Sequence, residues 1–121
     1  MSQENPIEVT LENRLMSQGV YIEAYESTEG GTRIEYEMVH DAPGVTTHEV
    51  SIVVRTVLTI VEERPEWEPG RLEAVSTTTD GAIRGTWFVD ASWFEQLGTE
   101  LSEVEFSQRV LDTVNNKYSD S

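Results

Sequence analysis

The strongest pattern along the chain is a run of apolar residues spaced three and four apart between residues 50 and 61. This spacing indicates one face of an amphipathic helix, although the β-branched residues in it would by themselves favour a strand. Thr46 and Glu49 precede the run at the spacing of a capping box, and Pro65 follows it. The sequence therefore predicts a long helix whose apolar stripe is Val50, Val53, Val54, Val57, Leu58 and Val61.

Segments on both sides of this helix alternate apolar and polar residues, which is the period of a strand with one buried face. We predict one hairpin with a three-residue turn, Glu29-Gly30-Gly31, and a second hairpin with a two-residue turn at Asp80-Gly81. The second turn pairs Leu72 with Val89, Ala74 with Trp87 and Ser76 with Gly85. Turns of these lengths place one apolar set on a single buried face: Val20, Ile22, Ala24, Ile34, Tyr36, Met38, Leu72, Ala74, Ile83, Trp87 and Val89.

Cap and break residues predict three further helices, over residues 6–18, 91–97 and 103–117. The order of elements predicts an α+β fold in one domain, residues 1–121, with a four-stranded antiparallel sheet covered on one face by helices. Its parts are a first αββ unit (6–44), a second αββ unit (45–89) and a helical tail (90–117). Ile22-Glu23-Ala24 resembles Leu72-Glu73-Ala74, which favours a duplication; two hairpins that obey the same general rules are the alternative.

The chain is strongly acidic, with 23 acidic against 8 basic residues and a net charge of −15. Such self-repulsion opposes folding in dilute buffer and is largely screened at molar salt. Salt adaptation and an acidic face for a cationic partner are both compatible with this charge. Because Lys117 is the only lysine, the depletion extends over the whole chain, and salt adaptation is favoured. The dispersed arginines argue against nucleic-acid binding.

Three features that the sequence lacks limit the cellular compartment and the chemistry expected of the protein. Without cysteine there is neither a disulfide nor a thiolate metal site. No apolar stretch reaches the roughly 20 residues of a membrane span, and the first residues lack the pattern of a signal peptide. We therefore expect a cytoplasmic protein without a membrane partner.

Candidate chemistry is sparse. His40, Asp41, His48 and Glu49 form the only cluster of histidines and carboxylates, and His40 and His48 are candidate metal ligands. Solvated or structural histidines are the favoured interpretation. No nucleophile elbow, phosphate-binding loop or dinucleotide fingerprint is present, so we predict no cofactor and regard an enzyme as the less favoured class.

Aromatic residues mark a candidate contact surface on the sheet face that the helices leave open. Ile52 and Ile60 widen the apolar stripe of the long helix. The helix then either lies centrally in its layer or contacts another subunit, so a homodimer is a hypothesis. The candidate interaction residues are Tyr21, Tyr25, Ile52, Ile60, Phe88 and Trp93.

The C-terminal third resembles an uncharacterised haloarchaeal domain family. The residues that carry the resemblance are Gly85-Thr86-Trp87-Phe88-Val89, Trp93 and the segment from Leu101 to Thr113. This resemblance implies a salt-adapted protein and no particular activity. Leu97-Gly98, Leu101-Ser102 and Glu105-Phe106 are also similar to the short helical SHOCT module, which implies a role in oligomerisation.

No motif identifies a function. The class most compatible with the sequence is a salt-adapted, non-catalytic domain that binds a protein partner or regulates one, with self-association as a variant. A small-ligand or metal-binding domain is the alternative, and a small enzyme follows it.

Overall fold

The structure, a computed structural model, describes residues 6–38 and 44–116. Within them, the helices and strands follow one another along the chain in the order α1 (Ile7–Met16), β1 (Val20–Thr28), β2 (Gly31–Met38), α2 (Thr47–Glu63), β3 (Arg71–Thr77), β4 (Ile83–Val89), α3 (Ala91–Gln96), α4 (Glu103–Leu111) and β5 (Asn115–Asn116). The predicted α+β class is confirmed, and residues 50–61 lie inside a helix as their period indicated. The two αββ units follow each other in sequence, whereas their origin by duplication stays a prediction.

Helices α2, α3 and α4 begin at the predicted caps, whereas α1 begins after Pro6 without a side-chain cap and ends at Met16, two residues earlier than predicted. At the start of α2 the Thr46 hydroxyl accepts a hydrogen bond from the Glu49 amide, and the Glu49 carboxylate accepts one from the Thr46 amide. Ser102 and Glu105 repeat this reciprocal arrangement at α4, and the Asp90 side chain caps α3. These contacts satisfy amide groups that a helix leaves without partners in its first turn.

The sheet differs from the prediction in strand number and in direction. Five strands lie in the order β1-β2-β3-β4-β5, and β2 pairs with β3 in parallel, while the other pairs are antiparallel. The prediction of a four-stranded, fully antiparallel sheet is therefore wrong. Because α2 returns the chain to the end at which β2 began, β3 runs in the same direction as β2.

The fifth strand replaces the end of the predicted last helix. Helix α4 ends at Leu111 rather than near residue 117. The Thr113 hydroxyl then bonds both backbone polar groups of Phe88, and Asn115 and Asn116 pair with β4. The chain thus leaves the helix to complete the edge of the sheet.

The first hairpin carries its extra residue in the strand rather than in the turn. Thr28 pairs with Gly31, so the turn has two residues, and a β-bulge at Glu23 interrupts the pairing. Val20 and Ile22 face the helices as predicted. Beyond the bulge the faces exchange, so that Ala24 points away from the core and Tyr25 packs against it. The predicted orientations of Ala24 and Tyr25 are therefore wrong.

The second hairpin has the predicted register over most of its length. Leu72 pairs with Val89, Ala74 with Trp87 and Ser76 with Gly85. Near the turn Thr77 pairs with Ile83, which leaves one residue, Arg84, as a bulge. The turn is longer than predicted: the Thr78 amide donates to the carbonyl of Ala82, and the loop between them passes through Gly81 with φ of 89°.

This second bulge reverses the residues next to the turn. Arg84 is buried, whereas Ile83 is 47 % exposed, so its predicted place on the buried face is wrong. One additional residue turns every following side chain to the other face of the sheet.

Helices α1, α2 and α4 contribute to one apolar core against the sheet. Helix α2 contacts α1 on one side and α4 on the other, and Gln18, which follows the end of α1, donates a hydrogen bond to Thr56 of α2. Its broad apolar stripe therefore reflects a central position, which was one of the two explanations left open. We call the opposite face of the sheet the outer face; it carries Tyr21, Arg33, Glu35, Glu73, Thr86 and Phe88.

Candidate functional site

A buried polar network lies between α2 and the sheet. Its centre is the carboxylate of Glu49, which accepts hydrogen bonds from the Tyr36 hydroxyl at 2.7 Å and from the Arg84 guanidinium at 3.1 Å. Arg84 also donates to the Ser76 hydroxyl at 2.6 Å and to the carbonyl of Gly44. Trp87 donates its indole N–H to the Tyr36 oxygen at 2.8 Å. All five side chains of this buried network, Tyr36, Glu49, Ser76, Arg84 and Trp87, are excluded from water.

The backbone explains how these side chains meet. Tyr36 and Ser76 are partners across the parallel pair, Ser76 lies opposite Gly85, and the bulge turns Arg84 inward beside it. Glu49 reaches the same point from the first turn of α2. Burial is the main cause that raises the pKa of Tyr36 well above its ordinary value, and the nearby negative charge of Glu49 raises it further.

The buried network holds the fold together rather than offering a reactive group. Every buried side-chain polar atom of the described residues has a hydrogen-bond partner. The three concavities described below are lined mostly by other residues of α1, α2, α4 and the sheet, and Trp87 is the one residue of the buried network that also borders one of them. A paired and sealed carboxylate of this kind has no free face for a substrate.

Sequence reasoning missed this network, although one signal was present. Glu49 lies in phase with Val53 and Ile60 on the buried stripe of α2. A carboxylate on an apolar stripe needs a buried cationic partner. The partner itself was hidden, because only the bulge brings Arg84 to that face.

The outer face carries an aromatic corner, formed by Phe88, Trp93 and Arg71. The rings of Phe88 and Trp93 stack with centroids 5.9 Å apart, and the Arg71 guanidinium lies 4.0 Å from the centre of the Phe88 ring. Arg71 also bonds Glu73 at 2.9 Å, and Arg33 lies 3.9 Å from Glu73. A shallow hollow of about 250 Å³ is bordered by Arg33, Arg71, Glu73 and Phe88.

Two other concavities lie on the helical side. One, of about 170 Å³, opens between α2 and α4 and has an apolar floor that includes Val54, Phe106 and Val110. The other is a polar hollow between α1 and α2, bordered by Arg14, Gln18 and Thr59. Arg55 lines both.

The candidate metal ligands are not brought together in what the structure describes. His48 is exposed in the first turn of α2. His40 and Asp41 lie outside the described residues, so the metal site stays a prediction. Within residues 6–38 and 44–116, no three His, Cys, Asp or Glu side chains are grouped closely enough to hold a metal ion.

The candidate interaction residues divide between the two faces. Tyr21 and Phe88 lie on the outer face, and Trp93 joins Phe88 there. Tyr25 and Ile52 are half-buried against the core. Ile60 is fully buried and therefore lines no surface of the described chain. Of these six candidates, Phe88 and Trp93 are the pair whose rings contact each other.

The sequence matches one known protein family. A family model described as a domain of unknown function (DUF8159) matches residues 1–120. The chain belongs to this family. No curated protein and no solved structure matches this DUF8159 domain. None of the helices in its described part has both the length and the apolar character of a membrane span.

Proposed function

We propose that this DUF8159 domain is a salt-adapted, non-catalytic protein-interaction domain that contacts its partner through the aromatic corner. The observation that carries the proposal is the stack of Phe88 and Trp93 beneath Arg71 on the outer face. Aromatic side chains and arginine are the residue types enriched at the centres of protein interfaces. The cytoplasm is the compartment that we propose for it.

Local charge supports this choice of surface. Arg33 and Arg71 form ion pairs with Glu35 and Glu73 beside the aromatic corner, so these two carboxylates are compensated there. Elsewhere acids dominate a chain whose net charge is −15. A partner that approaches here meets apolar rings and arginines instead of uncompensated carboxylates.

The positions of the acids support salt adaptation. Exposed acidic residues occur on the helices and on the first three strands, and Glu49 is the only buried acid in the described part of the chain. A surface built for one cationic partner would concentrate its acids on one face. Acids on all sides instead keep a protein dispersed in concentrated salt without a particular ligand.

The test is affinity capture from a lysate of the source cells at molar KCl, with the wild type and matched variants. Trp93→Ala removes one ring of the aromatic corner. Val104→Ser is the control, because Val104 is an exposed apolar residue on α4. We expect a specific protein to be retained by the wild type and by Val104→Ser and to be lost with Trp93→Ala.

Circular dichroism would first show that the variants are folded. Equal recovery of every bound protein by Trp93→Ala and the wild type would contradict the proposal. Recovery of a second copy of the chain, with a dimer mass in light scattering that Trp93→Ala abolishes, would identify the partner as the domain itself.

A further inference from the structure

The cavity between α2 and α4 has the features of a small-molecule site. Its floor is formed by apolar side chains from both helices, among them Val50, Val54, Phe106 and Val110. Helix α4 reaches the core through Phe106 and Val110, and its residues Glu103 and Ser107 also line the space between it and α2. The result is a cleft that the protein's own side chains do not fill.

The size of the cleft selects small ligands. Its volume is about 170 Å³, and apolar cavities of about 150 Å³ hold a molecule as large as benzene. It is smaller than the roughly 300–1,000 Å³ of typical drug-sized sites. One aromatic ring or a short branched chain matches the apolar floor.

The charged residues at the border of the cavity indicate which head group a ligand would carry. Arg55 lines the cavity, and none of the ion pairs that the described residues form includes it. Glu103, also at the border, lies in the first turn of α4, where the helix dipole already compensates a negative charge. In a chain this acidic, an arginine without an acidic partner beside an apolar cleft favours a carboxylate ligand.

We infer that the α2/α4 cavity binds a small monocarboxylate whose apolar body is about the size of one aromatic ring. The body occupies the apolar floor, and the carboxylate meets Arg55. The inference does not rest on the proposed protein contact, because the cavity lies on the other side of the sheet from the outer face.

Phenylacetate is the probe for the first test, because it joins one ring to one carboxylate. Titration into the full chain, followed by amide chemical shifts, should move the signals of α2 and α4 and saturate. Acetate lacks the ring and phenethylammonium reverses the charge, so both should bind at least about tenfold more weakly. Shifts spread over the whole surface, or equal binding of phenethylammonium, would overturn the inference.

Two variants separate the floor from the head-group contact. Ser107→Phe places a ring at an exposed position on the border of the cavity and should abolish saturation. Arg55→Gln should weaken phenylacetate binding by about five- to tenfold at moderate salt. The control is Arg109→Gln, which removes an exposed arginine of α4 outside the cavity lining and should leave the affinity unchanged. Unchanged binding by Ser107→Phe, or equal losses with Arg55→Gln and Arg109→Gln, would contradict the site.

Discussion

The ion pair between Glu49 and Arg84 joins α2 to the sheet in surroundings without water. Its two side chains are 1 % and 4 % exposed, whereas the other ion pairs of the described residues have side chains that are at least 38 % exposed. Removing one partner of a buried pair leaves an uncompensated charge, which costs far more than the loss of an exposed pair.

We expect Arg84→Met to lower the free energy of unfolding by about 3–5 kcal/mol, because Glu49 stays buried without its partner. Arg33→Met is the matched control and should cost at most about 1 kcal/mol, since the Arg33 side chain is 41 % exposed. Urea unfolding at constant molar KCl measures both. Equal losses would show that the buried pair has no special role.

A second prediction at this scale concerns Glu37. The bulge brings Glu23 beside it, and the hydrogen bond between the two carboxyls is the main cause that raises the pKa of Glu37. Folded protein therefore binds this proton more tightly than the unfolded chain does. The resulting stability is present at low pH and is lost as the pH rises through the folded pKa.

Glu37→Gln should consequently raise the melting temperature at neutral pH, where the wild type holds two adjacent negative charges. The gain should shrink at low pH, where Glu37 is protonated in the folded protein, and it should shrink at molar salt through screening. Glu26→Gln, on the same face of β1, is the control. A gain that is independent of pH would exclude the carboxyl pair as its cause.

At the scale of elements, the short strand β5 depends on a glycine in β4. A Cβ at Gly85 would lie 2.8 Å from the Val45 side chain, 2.9 Å from the Asn115 carbonyl and 3.0 Å from the side chain of Asn116. Asn116 in turn accepts a hydrogen bond from the amide of Val45, which holds the segment before α2. One close approach thus fixes both the last strand and the entry to α2.

We expect Gly85→Ala to displace β5 and to increase hydrogen exchange at Asn116 and Val45 by at least about tenfold, because their bonds depend on this approach. Gly30→Ala is the control, since a Cβ at Gly30 meets no atom within 4 Å. Unchanged exchange at both amides in Gly85→Ala would show that β5 tolerates the added carbon.

The comparison of prediction and structure separates local signals from signals that depend on tertiary contacts. The predictions of helix α2 and of three helix caps were correct, because helical periodicity and caps depend on residues close together in sequence. The three caps are Thr46, Asp90 and Ser102. The pairing of Leu72 with Val89 was also correct. The turn lengths, however, were wrong in both hairpins: the first turn is shorter than predicted and the second is longer.

The two bulges explain why the turn lengths were wrong and, for the most part, why the buried network around Glu49 was not predicted. A bulge and a longer turn change the phase of a hairpin by the same one residue, and composition does not distinguish them. The bulges at Glu23 and Arg84 depend on partners far along the chain, Thr77 and Glu49 respectively. The parallel pair and β5 likewise arise from tertiary docking, which no local pattern encodes. Phe88 and Trp93 lie together on the outer face, and their role as interaction residues stays a prediction, whereas Ile60 is buried in the core.

At the scale of the whole molecule, we expect the net charge of −15 to make stability depend on salt. Acids lie on both faces and at many of the connections, so their repulsion acts over the entire surface. The Debye length falls from about 10 Å at 0.1 M salt to about 3 Å at 1 M. Folding should therefore depend on salt throughout the molecule rather than at one site.

We expect the melting temperature to rise continuously as KCl increases from about 0.1 M into the molar range. An uncharged osmolyte at matched osmolality is the control, because it favours burial without screening charge. A variant in which Glu66 and Glu68 become Gln should show a smaller salt dependence, since both are exposed in the connection after α2. Equal stabilisation by the osmolyte would contradict a dominant role of charge.

Helix α3 has a consequence for any communication across the domain. Its neighbouring residues Trp93 and Phe94 diverge around the rim of the sheet: Trp93 stacks on Phe88, and Phe94 lies 5.8 Å from Phe106. The six-residue helix α3 therefore makes one aromatic contact toward the outer face and one toward the core. Helix α3 thus joins the outer face to the α4 side of the core, and a change in its orientation would alter the ring contacts on both sides.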